Sequence, residues 1–276
     1  MAEIKASDVA KLRQMTGAGM MDCKQALTET NGDFEQAIDV LRKKGQKVAN
    51  KRADRASSEG AVIAKTNEAG TFGVVLVLNC ETDFVAINED FVKKAHAFAD
   101  AALAAKPRTL DELKQLTIEG HTIESEVMNM TGVIGEKIDL SFYNCLEAPL
   151  VVSYIHPGNR LATTVSFNKT AADIQVVRNV AMQVAAMSPV AVNKDRVPQA
   201  IIDKELEIGR AQAIEEGKPE AIVDKIAMGK LSKFFKENTL LSQDFIVDHK
   251  ITVADYLAHN DKDLTVLDFI RYTLND

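Results

Sequence analysis

Nowhere does this sequence run apolar for the ~18 residues that a helix needs to cross a bilayer. Its opening, Met1-Ala2-Glu3-Ile4-Lys5, lacks the apolar stretch of a secretory signal. These absences predict a cytoplasmic protein with no membrane partner. Tryptophan is missing altogether and cysteine is scarce. Cys23, Cys80 and Cys145 stand far apart with no CxxC pair, which fits a reducing compartment better than a disulfide framework and argues against a zinc site. Enzyme signatures are absent too. The five histidines are scattered, and there is no GxxxxGK(S/T) phosphate loop, no HExxH and no GxSxG. The three thiols lie in mostly apolar contexts, where a buried, inert thiol is the default. The expectation is a protein without cofactor, metal or covalent chemistry of its own. A surplus of positive charge is lacking as well: the net charge of −7 argues against direct nucleic-acid binding, which needs clustered Lys and Arg.

What is present is a large apolar fraction, 46% of 276 residues, enough for two or three modules. Residues 5–50 read as three short helices. Ser7 suits an N-cap, with Asp8 following at the positive helix end, and Val9, Leu12 and Met15 form a stripe that stops at Thr16-Gly17. A second helix starts near Met20 or Met21 and ends before the turn Thr30-Asn31-Gly32-Asp33. A third carries Phe34, Ala37, Ile38 and Leu41 and is expected to end at Lys44-Gly45, basic residues and a glycine being common at helix C-termini. Met20 and Met21 point about 100° apart, so either one lies in the core and the other is exposed as a contact, or both are half-buried core residues. Positive charge gathers between Arg42 and Arg55. That segment reads as a solvated helix end and linker or as a basic arm for an acidic partner.

A core begins near Ala61. Val62 to Ala64 and Phe72 to Leu78 predict two strands around the turn Asn67-Glu68-Ala69-Gly70, the second apolar enough to be buried on both faces and stopped by polar Asn79. Phe91, Val92, Ala95, Phe98, Ala99 and Ala102 then line one helix face, closed by Lys106-Pro107. A helix from Leu110, broken at Gly120, leads through Val133-Ile134-Gly135-Glu136 to a strand over Ile138 to Cys145. The order strand, turn, strand, helix returns after Pro149, with Val151 to Tyr154, His156-Pro157-Gly158-Asn159, Leu161 to Phe167 and a helix through Val177 and Val184. This predicts an internal duplication. At the strand-to-helix junction the first copy has Thr82-Asp83-Phe84-Val85-Ala86, whereas the second has the plain turn Asn168-Lys169-Thr170-Ala171-Ala172. The scaffold does without an aromatic there, which favours a partner over the core as the reason for Phe84. Residues 195–240 read as a helical hairpin about Gly217-Lys218-Pro219, sharing an apolar seam drawn from Ile201, Ile202, Leu206, Ile208 and Ile214 on one side and Ile222, Ile226, Leu231, Phe234 and Phe235 on the other. A helix capped by Thr252 and a strand over Leu264 to Leu274 complete the pattern.

The predicted class is α+β. It comprises an N-terminal three-helix, ubiquitin-associated-like module with its basic linker (1–55), a duplicated core with antiparallel sheets (56–148, then 149–192 with 241–276) and an inserted helical hairpin, or coiled-coil, arm (193–240). Two stretches, Thr16-Gly17-Ala18-Gly19-Met20-Met21-Asp22-Cys23-Lys24 and Thr82-Asp83-Phe84-Val85-Ala86, with Ile134-Gly135-Glu136 as a third match, closely resemble bacterial translation elongation factor Ts, the family of nucleotide exchange factors for elongation factor Tu. The resemblance implies that Thr82, Asp83, Phe84 and Val85 disturb the Mg²⁺ site of factor Tu. It implies further partner contacts at Met20, Met21, Lys24, Ile134, Gly135, His156, Lys51 and Arg52. It also implies an arm that self-associates in some members, and so leaves a homodimer open, and touches factor Tu in others. Some members carry a further C-terminal helix, and this sequence stops at Asp276 without one. From the residues alone, His156 serves equally well as a turn histidine. A non-catalytic adaptor built on the three-helix module is the competing reading.

Overall fold

A computed structural model of the chain describes residues 4–274. The expectations drawn from the first residues and from the stop at Asp276 fall partly on residues 1–3 and 275–276, outside that range. Three helices open the fold, α1 (Ala6–Thr16), α2 (Met20–Glu29) and α3 (Phe34–Arg52), around a small core of Val9, Leu12, Cys23, Ala26, Leu27 and Ala37. Ser7 is not the cap. The helix starts at Ala6 with Lys5 as its cap, two residues earlier than a Ser7 cap implies, and the backbone N–H of Lys5 donates to the Asp8 carboxylate at 3.3 Å. Gly17, at φ 70°, ends α1 in the left-handed conformation that costs glycine little.

The third helix does not end at Gly45 but continues to Arg52, through the first part of the segment that leads to β1. Gly45 is buried there because α3 crosses α7 (Ile123–Ile134), where a Cβ on Gly132 would come within 2.3 Å of the Gly45 Cα. The glycine marks close helix packing and not a stop.

The first sheet has the order β1-β2-β5, antiparallel throughout, from β1 (Glu59–Thr66), β2 (Phe72–Cys80) and β5 (Asp139–Glu147). Between β2 and β5 come α4 (Asp83–Ala86), α5 (Glu89–Ala105), α6 (Leu110–Gln115), the two-residue strands β3 (Thr117–Ile118) and β4 (His121–Thr122), and α7. Every residue of β2 is buried. Its Phe72, Val74, Leu76, Leu78 and Cys80 pack toward α5, and its Val75 and Val77 pack toward a second sheet with Ala162 and Ile270. Asn79 does not stop this strand. Buried among its neighbours, it donates to the Glu59 carbonyl at 3.2 Å and accepts from the Ser141 hydroxyl, so its amide is satisfied inside the sheet.

The second sheet, order β6-β7-β8, comprises β6 (Leu150–Ile155), β7 (Leu161–Phe167) and β8 (Val266–Thr273), with α8 (Ile174–Met187) packed on β6 and β7. Between α8 and β8 lie the paired helices α9 (Gln199–Glu215) and α10 (Glu220–Asn238), then α11 (Val253–Asn260) with Thr252 and Asp255 forming a capping box. The base of the α9–α10 pair is drawn shut, with Val190 N–H donating to Asn238 O and Leu240 N–H to Ala191 O, both at 2.9 Å. Of the expected seam, Leu231 is buried and Ile201, Ile202, Leu206, Ile226, Phe234 and Phe235 are half-buried, but its tightest part is made otherwise. The buried residues are Gly209, Ala213, Val223, Ala227 and Leu231, while Ile208, Ile214 and Ile222 are exposed. Small residues let the two backbones approach, and a Cβ at Gly209 would meet the Ala227 Cα at 3.1 Å.

Candidate functional site

The segment after β2 shapes the site. Thr82 sits at the N-cap of α4, a single turn of four residues, and its own side chain does not cap that turn. Its hydroxyl instead donates to Glu136 Oε1 at 2.7 Å, while the amides of Thr82 and Glu81 donate to Glu136 Oε2 at 3.0 and 3.2 Å. Beneath it the Cys80 thiol donates to the Thr82 carbonyl at 3.1 Å. Burial, with the Glu136 charge second, pushes this thiol up to about 12, so it stays protonated. Beyond this base the chain turns outward. Ala86 is buried and Val85 packs on the core, whereas Phe84 is 80% exposed and Asp83 is exposed with its carboxylate accepting the Phe84 N–H at 2.9 Å.

Glu81 ties this loop to the N-terminal helices. Its carboxylate accepts the Lys137 N–H at 2.6 Å, Arg52 Nη1 at 2.7 Å and Arg55 Nη1 at 3.2 Å. The Lys137 amide, ahead of the two guanidiniums, holds the acid down at about 2. Lys137 Nζ donates in turn to the carbonyls of Ala53 and Arg55, at 2.7 and 3.0 Å. Arg52, expected as a partner contact, is therefore bonded within the chain, and Lys51 beside it is exposed.

A cleft of about 770 Å³ separates the three helices from the first sheet's helices, bringing Gly17, Gly19 and Asp22 opposite Phe84, Val85 and Ile134. Ile134 packs partly on the core, and Gly135, at φ 79°, ends α7. Met20 and Met21 follow neither expected arrangement, since both are exposed, 46% and 76%. Met20 shares the stripe of Cys23 and Leu27 but lies in the first turn, at the rim of a core already filled by smaller residues. Lys24 is exposed beside them. These three do not line the cleft.

His156 is exposed on the β6–β7 turn, its Nδ1 2.9 Å from the Tyr154 hydroxyl. That turn is held to β1 by Val62 N–H donating to Asn159 O at 2.7 Å and by the Arg160–Glu59 ion pair, and Glu59 is the partner of Cys80 in the sheet. His156 and the Phe84 loop thus stand at the same end of β1 and β2. The sequence reading missed Ile87, 74% exposed three residues after Phe84, and Met15, 57% exposed and lining the cleft. Ile87 carried a signal, an apolar residue beside Asn88 ahead of an acidic helix start; Met15 was assigned to the helix stripe. Among the described residues, no group of three or more His, Cys, Asp and Glu side chains could hold a metal ion.

Residues 81–276 match the family model described as elongation factor TS. Over 275 residues the chain is 52% identical to the protein named elongation factor Ts from Christiangramia forsetii, covering 99% of this chain and all of that one. It is 50% identical over 275 residues to its namesake from Flavobacterium psychrophilum, with the same coverage. With that from Porphyromonas gingivalis the identity is 49% over 269 residues and 97% of each chain. The chain belongs to the elongation factor Ts family.

Proposed function

We propose that the chain is the guanine-nucleotide exchange factor for elongation factor Tu in translation elongation, acting in the cytoplasm without covalent chemistry of its own. A GTPase holds GDP through backbone amides around the phosphates and through Mg²⁺ with its octahedral shell. An exchange factor lowers the barrier to GDP loss by making contacts that exist only when that assembly is open, because equal binding to both states shifts nothing. The observation that carries this reading is an aromatic side chain, Phe84, held 80% exposed on a four-residue helix whose base is bonded to the core. Asp83 and Phe84 enter beside the Mg²⁺ site of factor Tu, with Thr82 and Val85 supporting the tip.

Met20, Met21 and Lys24 form a second contact on the helical module, Ile134 and Gly135 a third beside the cleft, and His156 a fourth at the neighbouring turn. Lys51 and Arg52 flank the loop, Arg52 through Glu81. The module spans 1–55, the two related core halves 56–148 and 149–192 with 241–276, and the coiled-coil arm 193–240. Self-association, if sedimentation detects it, is assigned to that arm.

Release of a fluorescent GDP from factor Tu tests the proposal. The chain is expected to speed release, and Asp83→Ala with Phe84→Ala to slow it again at unchanged thermal stability. No acceleration by the unmodified chain overturns the reading; full activity of the double variant overturns the wedge.

A further inference from the structure

Four residues are too few to hold a helical turn unaided, since nucleation alone fixes several dihedrals for one hydrogen bond. Phe84 is 80% exposed, and the side chain of the N-cap residue Thr82 does not cap the turn. The orientation of the tip must therefore be imposed from its base. One carboxylate does most of this. Glu136, immediately after the left-handed end of α7, reaches across 54 residues of sequence to take the Thr82 hydroxyl and amide and also the Glu81 amide.

We propose that Glu136 is the positioning residue of the exchange tip, fixing Thr82 so that Asp83 and Phe84 are presented in one orientation before the partner arrives. This rests on the exchange reading above. Because Glu136 sits at the end of α7, which packs along α3, and Arg52 at the end of α3 holds Glu81, the tip is set by the same helix pair that carries the N-terminal module. Tip and module approach the partner as one preformed surface, which lowers the ordering cost of binding.

The choice of substitution separates positioning from charge. In Glu136→Gln the amide oxygen still accepts the two backbone N–H groups and the amide nitrogen can donate to the Thr82 hydroxyl, so most of the geometry survives. Glu136→Asp keeps the charge but is one methylene too short. Positioning predicts that Gln retains most of the saturating GDP-release rate, while Asp and Ala lose about tenfold or more, as misplacement by an ångström does at a reacting centre. A role exerted by charge predicts the reverse, and that result overturns the proposal. In an Asp83→Ala, Phe84→Ala background, Glu136→Ala should add nothing further, because it acts through those two side chains; an equal loss in both backgrounds is the signature of general destabilisation and also overturns it. Hydrogen exchange in the free chain is the second readout. Glu136→Ala should speed amide exchange at Glu81 and Thr82 while β2 stays protected, and unchanged exchange there refutes the positioning role. This measurement needs no factor Tu, so it stands even if the unmodified chain fails to release GDP, a failure that would fall on the exchange reading alone.

Discussion

Glu81 is a carboxylate held at about 2 by the Lys137 amide and two arginines, which makes the join between loop and N-terminal helices sensitive to acid. Its folded value lies below the ~4.3 of an unfolded chain, so its stabilisation is complete above that pH and is lost as pH falls through the folded value. Glu81→Gln should therefore unfold at lower temperature than the unmodified chain at pH 7, and the gap should shrink between pH 5 and pH 3. Thermal melts at three pH values check this; a constant gap would mean that the carboxylate's charge contributes nothing. At this scale the sequence was informative where a residue could be compared with a counterpart. Phe84 read as standing off the core because Asn168 to Ala172 manage a similar junction without an aromatic, and it is exposed. Glu136 was not legible as the anchor of Thr82, since periodicity and capping rules reach only a few residues along the chain and this bond spans 54. The methionine pair was misjudged for a related reason: helical angles say which side chains share a face but not where a small core stops.

Among the elements, α3 and α7 meet without side chains between them at Gly45 and Gly132, and the contact is unequal. A Cβ at Gly132 would lie 2.3 Å from the Gly45 Cα, whereas one at Gly45 meets the Gly132 Cα at 3.4 Å, an ordinary contact. Gly132→Ala must push the helices apart and should cost about 1–3 kcal/mol, as overpacking does. Gly45→Ala should be neutral or stabilising by up to ~1 kcal/mol, because alanine is the better helix former. Denaturant midpoints of the two variants check the asymmetry, and equal losses would mean that the helices do not pack this closely. The strands were the most legible elements, since Val74 to Leu78 carries the continuous apolar run of a strand covered on both faces. The end of α3 was not, because Lys44-Gly45 has the composition of a helix terminus, and only the neighbouring helix shows why glycine is needed. The arm was legible as a hairpin and in Leu231, but Ile208, Ile214 and Ile222 face outward and the close approach is made by Gly209, Ala213 and Ala227.

For the whole molecule, Phe84 cannot open a nucleotide site alone. Moving a phenylalanine from water into a pocket yields ~1.5–3 kcal/mol, about one to two decades in affinity. On the proposed reading the remainder comes from a surface that extends from α2 past the cleft to the β6–β7 turn. Reciprocity constrains the total: whatever factor the chain removes from GDP affinity, GDP must remove from the chain's affinity for factor Tu. Titrating both binding equilibria, each with and without the other ligand, should close the cycle within error. Failure to close would reveal a further state of the complex.

The closed base of the α9–α10 pair has a consequence for folding. Leu161 of β7 pairs with Thr273 of β8 across more than a hundred residues, and that span must collapse before the second sheet is complete. The pair forms from local contacts, and its ends meet at Ala191 and Thr239. Once it has zipped, the loop left to close is shorter by the length of the insertion, roughly half, which by loop-closure entropy saves about 0.6 kcal/mol. So small a saving means that an arm of almost any length can be carried at this position while β8 still finds β7.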